Sequence, residues 1–246
     1  MSRRSKPNKT ADSLLGKVAE LGGREATGVL TVESVGRPPS RVYLMGGDIV
    51  ACNAADDEFW LRRQLIGQGW VTSDVLDTVA DRVASGQDLS DLLVRQKHVG
   101  GAEMMQARAT LFRDSFLWAS SGASPALRFE AQEMVFPQNM QFGVDRERLA
   151  QEARSWLDEV ADALAILNDD GPFLVSGERS EAVDPAAWER LSRPTSGTAL
   201  VMSTGAFTRE AALRVLARLW SEGVLRSEES VRSDAAAHQA ASAAAQ

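Results

Sequence analysis

The segment Thr27–Ala54 constrains the fold most, because it predicts three β-strands in a chain whose other patterns are mostly helical. Gly28–Val32 forms the first apolar run, Val42–Met45 the second and Asp48–Ala54 the third. Only Gly46-Gly47 separates the second run from the third. A two-residue type I′ turn requires positive φ at both central residues, which glycine adopts without a Cβ penalty. The segment therefore predicts a small antiparallel sheet built as a β-meander.

Helical patterns surround this meander. A helix is expected to begin near Asp12, and the segment 55–121 carries apolar residues at helical spacing. That segment also repeats at an offset of 28 residues. The pairs that align are Leu65/Leu93, Ile66/Val94, Gln68/Gln96, Val71/Val99 and Leu76/Met104. The repeat predicts two stacked helical hairpins, each covering the apolar face of the other.

A further strand and a long helix follow the helical segment. Leu127–Ala131 alternates apolar with charged residues and predicts a strand that extends the sheet. An amphipathic helix is expected from about Asp145 to Leu167. Residues 12–167 are therefore predicted to form one α+β domain, in which the predominantly helical segment 55–121 is an insertion.

The stretch 168–172 predicts a domain boundary, because Asn-Asp-Asp-Gly-Pro cannot continue the helix. The elements expected beyond it are helices near Pro185–Leu191, Thr198–Ser203 and Thr208–Glu222 and a strand at Val224–Arg226. Three helices followed by a strand are typical of a winged helix, so residues 172–226 are predicted to form a winged-helix-like subdomain. Residues 1–11, which are polar and basic, and residues 227–246, which are rich in alanine and serine, are predicted to be disordered tails.

Composition limits the function classes. The formal net charge of −7 disfavours a general nucleic-acid binder, which would present a basic face. With Cys52 as the single cysteine and only His98 and His238 as histidines, disulfides and zinc sites of the usual kinds are excluded, and we expect no metal and no cofactor. No apolar run approaches the ~20 residues that cross a bilayer. The N-terminus has no apolar signal-peptide core, so we expect a cytoplasmic protein without membrane contact.

Few residues suggest a site. Asp158 and Glu159 are adjacent on a predicted helix and point in different directions, so they favour a solvated or partner-facing role over a catalytic carboxylate pair. Cys52 lies between apolar neighbours and is predicted to be a small core residue. The six tryptophans lie beside apolar periodicity and are expected in the core, but Trp70 begins a helix from a link and is the best candidate for an exposed interface anchor.

Four elements, in the right order, resemble the PATAN domain family, also called the domain of unknown function 4388. Gly28–Val32 and Asp48–Ala54 resemble its opening strands, and Phe116–Glu130 resembles its element of tryptophan, glycine and strand. Leu149–Glu159 resembles its closing helix, which often ends in an Asp-Glu pair. The resemblance covers residues 12–167.

The resemblance implies a non-enzymatic module of bacterial signalling proteins, connected with two-component systems and motility. Its implied role is protein–protein interaction. The expected partner is another signalling or motility protein, such as a receiver-domain protein, a small GTPase or a component of a pilus motor.

The helical repeat resembles the N-terminal domain of secretion and pilus-assembly ATPases, whose units can bind cyclic di-GMP. Trp60–Val71 matches the apolar skeleton of such a unit, and Asp88–Val99 matches it less closely. Neither copy begins with the family's Arg-Leu-Gly, in which arginine stacks on guanine and glycine permits close approach.

Three hypotheses follow. The first is a signalling or motility adaptor or scaffold, with Trp70, Asp158 and Glu159 as partner-binding candidates. The second is a transcription regulator that binds DNA through the winged-helix-like subdomain, where Arg214 and Arg218 lie one helical turn apart, in a segment (171–226) with a net charge of only +1. The third is a cyclic di-GMP sensor. Oligomeric state is left open by the sequence.

Overall fold

The computed structural model describes residues 9–35, 37–122, 125–133, 142, 144–167 and 171–244. The fold is α+β. Its internal contacts divide the chain into two compact units, Met1–Leu157 and Asp158–Gln246. None of the helices in the described ranges is both long and apolar enough to cross a membrane.

The first unit combines a four-stranded sheet with helices that come before, between and after its strands in the chain. Its elements are α1 (Lys9–Gly23), β1 (Gly28–Glu33), β2 (Ser40–Met45), β3 (Asp48–Ala54), α2 (Asp57–Gly67), α3 (Ser73–Ala84), α4 (Leu89–Arg95), α5 (Gly101–Ser120), β4 (Ala126–Ala131) and α6 (Arg146–Glu159), whose last two residues fall in the second unit. The tail predicted at 1–11 overlaps α1 from Lys9 onward, and residues 1–8 lie outside the described residues.

The sheet is antiparallel, with strand order β3-β2-β1-β4. Val42 of β2 lies opposite Leu30 of β1 and Cys52 of β3, and Phe129 of β4 pairs with Leu30 from the other side. The predicted meander is therefore confirmed, and the strand predicted at Leu127–Ala131 does extend it, beside β1. Since α2–α5 lie between β3 and β4 in the chain, the helical segment is an insertion between strands of one sheet.

The turn between β2 and β3 is the predicted glycine pair. Gly46 and Gly47 have φ values of +58° and +87°, as a type I′ turn requires. The Gly47 amide donates to the carbonyl of Ala26 at 3.0 Å, and Arg146 Nη1 donates to the Gly47 carbonyl at 3.1 Å. The turn is thus fastened to the segment after α1 and to the first residue of α6.

One face of the sheet forms the core of the first unit. Leu30, Val42 and Cys52 lie in register and are buried, which confirms the core role predicted for the cysteine. Helix α5 packs against β2 and β3 and against α1, and it buries Phe116 and Leu117 completely. The apolar face predicted for α1 is also buried; it consists of Leu14, Leu15, Val18 and Leu21.

The second unit contains five helices and a two-stranded sheet in its described part. Its elements are α7 (Ala161–Leu167), β5 (Phe173–Val175), α8 (Pro185–Leu191), α9 (Gly197–Ser203), α10 (Arg209–Ser221), β6 (Leu225–Ser227) and α11 (Glu228–Ala244). The three predicted helices and the closing strand are present. The sequence did not predict β5, which pairs antiparallel with β6. Because β5 precedes the three helices and β6 follows them, these two strands are not joined as the hairpin wing of a winged helix.

The long helix predicted for Asp145–Leu167 is two helices in the structure. The break falls at buried Val160, between α6 and α7, and α7 packs against α9 and α10 of the second unit. Apolar periodicity runs across Val160 without glycine or proline, which is why the sequence predicts one helix. The contacts divide the chain after Leu157, earlier than the boundary predicted at 168–172, of which residues 168–170 lie outside the described residues.

The disorder predicted for 227–246 is wrong for Glu228–Ala244, which forms α11. Alanine has the highest helix propensity, so this segment needs no apolar face to be helical. Ser227 Oγ accepts from the Ser230 amide at 3.2 Å, and two glutamates lie in the first turn, where the helix dipole favours negative charge. Residues 245–246 lie outside the described part of the chain.

Candidate functional site

The two copies of the helical repeat end their first helices with the same backbone hydrogen bonds. In the first copy the amides of Trp70 and Val71 donate to the Leu65 carbonyl, at 3.0 and 3.4 Å. In the second copy the corresponding amides, 28 positions later, donate to the Leu93 carbonyl at 2.9 and 3.4 Å. This reverse pairing satisfies the carbonyls that a helix end leaves open. The predicted repeat is therefore confirmed at the level of backbone geometry.

The residue that turns the chain out of each helix has positive φ. It is Gly69 in the first copy, at +69°, and Lys97 in the second, at +61°. A residue with a Cβ pays about 1–2 kcal/mol for the left-handed conformation. The second copy therefore carries a conformational cost that the first copy avoids.

Matching buried residues join the two copies into one hydrophobic cluster of their own. The pairs at the repeat offset are Leu61/Leu89, Leu65/Leu93, Val71/Val99, Leu76/Met104 and Val79/Ala107. Trp70 packs against this cluster and is half-buried. Part of the ring of Trp70, the predicted interface anchor, therefore packs in the core of the repeat.

The link sequences differ where the backbones agree. The first copy reads Gly67-Gln68-Gly69-Trp70, which carries no charge. The second reads Arg95-Gln96-Lys97-His98, and all four of its side chains are exposed. Only the second copy therefore presents cations at this helix end.

A groove of about 420 Å³ lies between α4 and α5, beside the basic link. We call it the α4–α5 groove; its lining residues are Ser90, Asp91, Val94, Arg95, Gly101, Met104, Met105 and Arg108. Val94 and Met105 leave 36% and 38% of their surface exposed, which is high for large apolar side chains. Arg108 donates to Asp88 at 3.1 Å and lies 3.8 Å from Asp91, so its charge is compensated within the fold. The groove combines an apolar floor with a charged rim.

A larger cleft of about 540 Å³ lies beside β3, among α2, α5 and the α3–α4 link. Cys52, Tyr43 and Phe112 contribute to its wall. Its best-placed carboxylate, Asp57, accepts from the Ala54 amide at 2.9 Å and from Ser115 Oγ at 2.7 Å. Both oxygens thus bind the fold itself, which favours a structural role for this acid.

One half-buried arginine, Arg37, has no carboxylate partner among the described residues. Arg37 Cζ lies 4.2 Å from the centroid of the Trp118 ring, and Nη1 donates to Ser121 Oγ at 2.6 Å. Its Nη2 has no hydrogen-bond partner in the described ranges. Burial lowers the pKa of Arg37 to about 10. The aromatic face compensates part of the charge.

In the second unit the structure brings together two of the residues singled out from sequence. Arg214 donates to both carboxylate oxygens of Glu159, from Nε at 2.6 Å and from Nη2 at 3.0 Å, and its Nη1 donates to Glu210 at 2.6 Å. The hydrogen bond from Arg214 lowers the pKa of Glu159, and the bond to Glu159 raises the pKa of Arg214. Bidentate geometry makes this the best-defined surface ion pair of the unit.

The other predicted site residues of this unit stay apart from that pair. Arg218 Nε donates to Glu222 at 2.8 Å and lowers the pKa of that carboxylate. Asp158 is exposed. Both arginines considered for DNA contact are therefore already bonded to carboxylates.

Comparison with known proteins gives no matching family model, no matching curated protein and no matching solved structure. In the described ranges no cluster of three or more histidines, cysteines or acids is placed to hold a metal ion. The α4–α5 groove was not predicted from the sequence, although the exposed positions of the repeat alignment, Ile66/Val94, carried a signal for it.

Proposed function

We propose that the chain is a non-enzymatic bacterial adaptor or scaffold that acts by binding another signalling or motility protein. The observation that carries the proposal is the α4–α5 groove, because it exposes Val94 and Met105 next to charged side chains. Apolar side chains within a polar rim are the usual anatomy of a protein interface. The resemblance to the PATAN family supplies the expected class of partner: a receiver-domain protein, a small GTPase or a pilus-motor component, in the cytoplasm.

The scaffold around the groove supports this role. The inserted repeat has its own hydrophobic cluster, so its exposed residues are held by a rigid base. The four strands of the sheet expose no large apolar side chain. Apart from alanines, their exposed residues are Glu33, Arg41, Asp48, Asn53, Arg128 and Glu130. Within the first unit, partner binding is therefore expected on the repeat and not on the sheet.

Site-specific photo-crosslinking tests the proposal. A photoreactive amino acid replaces Met105 in the full chain, which is expressed in the bacterium that encodes it. The control carries the same amino acid at Thr110, an exposed position of the same helix. We expect a crosslinked species from position 105, absent from position 110, that mass spectrometry identifies as a signalling or motility protein. The same yield at both positions, or none at either, would refute the proposal.

The DNA-binding hypothesis is less favoured. A phosphate would have to compete with Glu159, Glu210 and Glu222 for Arg214 and Arg218, and the displaced carboxylates would remain beside it. The cyclic di-GMP hypothesis keeps third place, because the copies lack the arginine and glycine at their heads. Titration calorimetry of the full chain with cyclic di-GMP should give no binding heat, and a saturable heat would revive that hypothesis.

A further inference from the structure

The α4–α5 groove has a counterpart position in the first copy of the repeat, and the two differ in chemistry. Ile66 corresponds to Val94, and both are exposed. Asp77, an exposed acid, stands where the second copy has Met105. The first copy thus carries an exposed acid at the position where the second copy carries a second exposed apolar residue.

The links differ in the same direction. Where the first copy has Gly69, the second has Lys97 in the same left-handed conformation. A Cβ built at Gly69 meets nothing within 4 Å, so the first copy omits a side chain that it has room for. The second copy has a lysine at this position although the left-handed conformation is unfavourable for it. Backbone strain of this kind clusters at functional sites.

Two cations of the second copy, Arg95 and Lys97, have no carboxylate partner among the described residues, whereas Arg108 is paired with Asp88 and Asp91. Arg95 Nε donates to the backbone carbonyl of Asp91 at 3.1 Å, and neither Arg95 nor Lys97 forms an ion pair with another described residue. The dipole of α4 favours Arg95 in its last turn, but Lys97 lies beyond the helix end. The groove lining carries Arg95 and Arg108 against the single acid Asp91, and Lys97 lies in the adjoining link, so this rim is locally basic in a chain of net charge −7.

We propose that the α4–α5 groove binds an acidic amphipathic segment of the partner, with one large apolar side chain seated between Val94 and Met105 and carboxylates facing Arg95 and Lys97. The inference rests on the proposed adaptor function and adds the chemistry of the bound segment. Charge complementarity decides the occupant, because a neutral or basic segment would leave both cations desolvated without a partner.

Selection from a displayed library of random 16-residue peptides tests the inference, with the immobilised full chain as target. We expect the enriched peptides to combine large apolar residues with aspartate or glutamate. Their affinity, measured by fluorescence anisotropy, should fall as salt rises. An enriched set without excess acidic residues would overturn the inference.

A swap variant gives a sharper measurement. Lys97→Gly with Met105→Asp places first-copy residues on the second-copy backbone, which the first copy shows to be compatible with the fold. We expect at least tenfold weaker peptide binding and an unchanged or higher thermal midpoint. The control, Arg148→Gln with Arg154→Gln, makes the same change in net charge at exposed positions of α6 and should bind as the wild-type chain does.

The outcomes separate this inference from the proposed function. If swap and control variants bind the peptides equally, the groove is not the site and the inference fails, whatever protein is crosslinked in cells. If the swap variant alone loses binding but no protein is crosslinked at position 105, the chemistry of the groove stands and the adaptor function fails.

Discussion

The glycine pair between β2 and β3 allows two neighbouring alanine substitutions to be compared. A Cβ built at Gly46 meets nothing within 4 Å, at a φ of +58°. A Cβ built at Gly47, at a φ of +87°, would lie 2.6 Å from the carbonyl oxygen of Gly22 and 3.1 Å from its Cα. Both substitutions impose left-handed backbone on alanine, but only the second drives a methyl group into the backbone at the end of α1.

The two free-energy changes follow from this difference. The left-handed conformation destabilises an alanine variant by about 1–2 kcal/mol. The lower conformational entropy of its unfolded chain offsets about 0.4–1 kcal/mol of this. Gly46→Ala should therefore destabilise the first unit by about 1 kcal/mol. At Gly47 the backbone must also move, which adds about 1–3 kcal/mol for overpacking and weakens its bonds with Ala26 and Arg146. The total for Gly47→Ala is about 3 kcal/mol.

Hydrogen exchange followed by mass spectrometry measures these changes within one unit. In peptides from β1–β3, exchange should accelerate about fivefold in Gly46→Ala and more than about a hundredfold in Gly47→Ala. Peptides from α10, in the second unit, serve as the internal reference. Equal acceleration in the two variants, or a larger effect at Gly46, would show that contact with Gly22 does not restrain the turn.

Three further predictions concern charged side chains. Arg37→Met removes a buried guanidinium and keeps an apolar stem on Trp118, so urea unfolding should show equal or higher stability; a loss of more than about 2 kcal/mol would show that the cation is net stabilising. In the fold the pKa of Glu159 lies below its ordinary value of 4.5, so its bond to Arg214 contributes stability above that pH and loses it as pH falls through the lowered pKa. The gap in thermal midpoint between wild type and Glu159→Gln should be small at about pH 7, as for surface pairs, and should narrow as the pH falls below 4.5. A gap that widens on acidification contradicts this. In gel-shift titrations with DNA fragments, Arg214→Glu with Arg218→Glu should leave any shift unchanged, whereas loss of a salt-sensitive shift would favour the transcription-regulator hypothesis.

The sheet and the repeat were predictable from sequence because local patterns encode them. Alternating apolar residues mark β1 to β4, and Gly46-Gly47 admits few turns other than the one that forms. The repeat was visible because buried positions recur at one spacing, and the hydrogen bonds to Leu65 and Leu93 show that the backbone recurs with them. The place of β4 beside β1, by contrast, depends on long-range pairing that spacing alone does not encode.

The missed features depend on distant contacts or on weak local signals. Strand β5 spans only Phe173–Val175 and exists by pairing with β6, far along the chain. The break at Val160 follows from the packing of α7 within the second unit. No residue at the break predicts it from the sequence. The burial of Arg37 on Trp118 joins a loop to a helix end distant in sequence. Helix α11 lacks apolar periodicity, and the helix propensity of its alanines explains why it forms.

The two copies of the repeat separate what the fold requires from what function adds. At the five paired positions of the shared cluster both copies are apolar, and at the helix ends they keep the same hydrogen bonds. Fold stability therefore explains the similarity of the copies but not their differences. Two differences lie on the surface, Gly69 against Lys97 and Asp77 against Met105, and both make the second copy more basic or more apolar. Since Lys97 is less stable in its backbone conformation than glycine would be, folding alone would favour glycine there. A role outside the fold is the simpler explanation, and it agrees with the binding function that we propose for the second copy of the repeat.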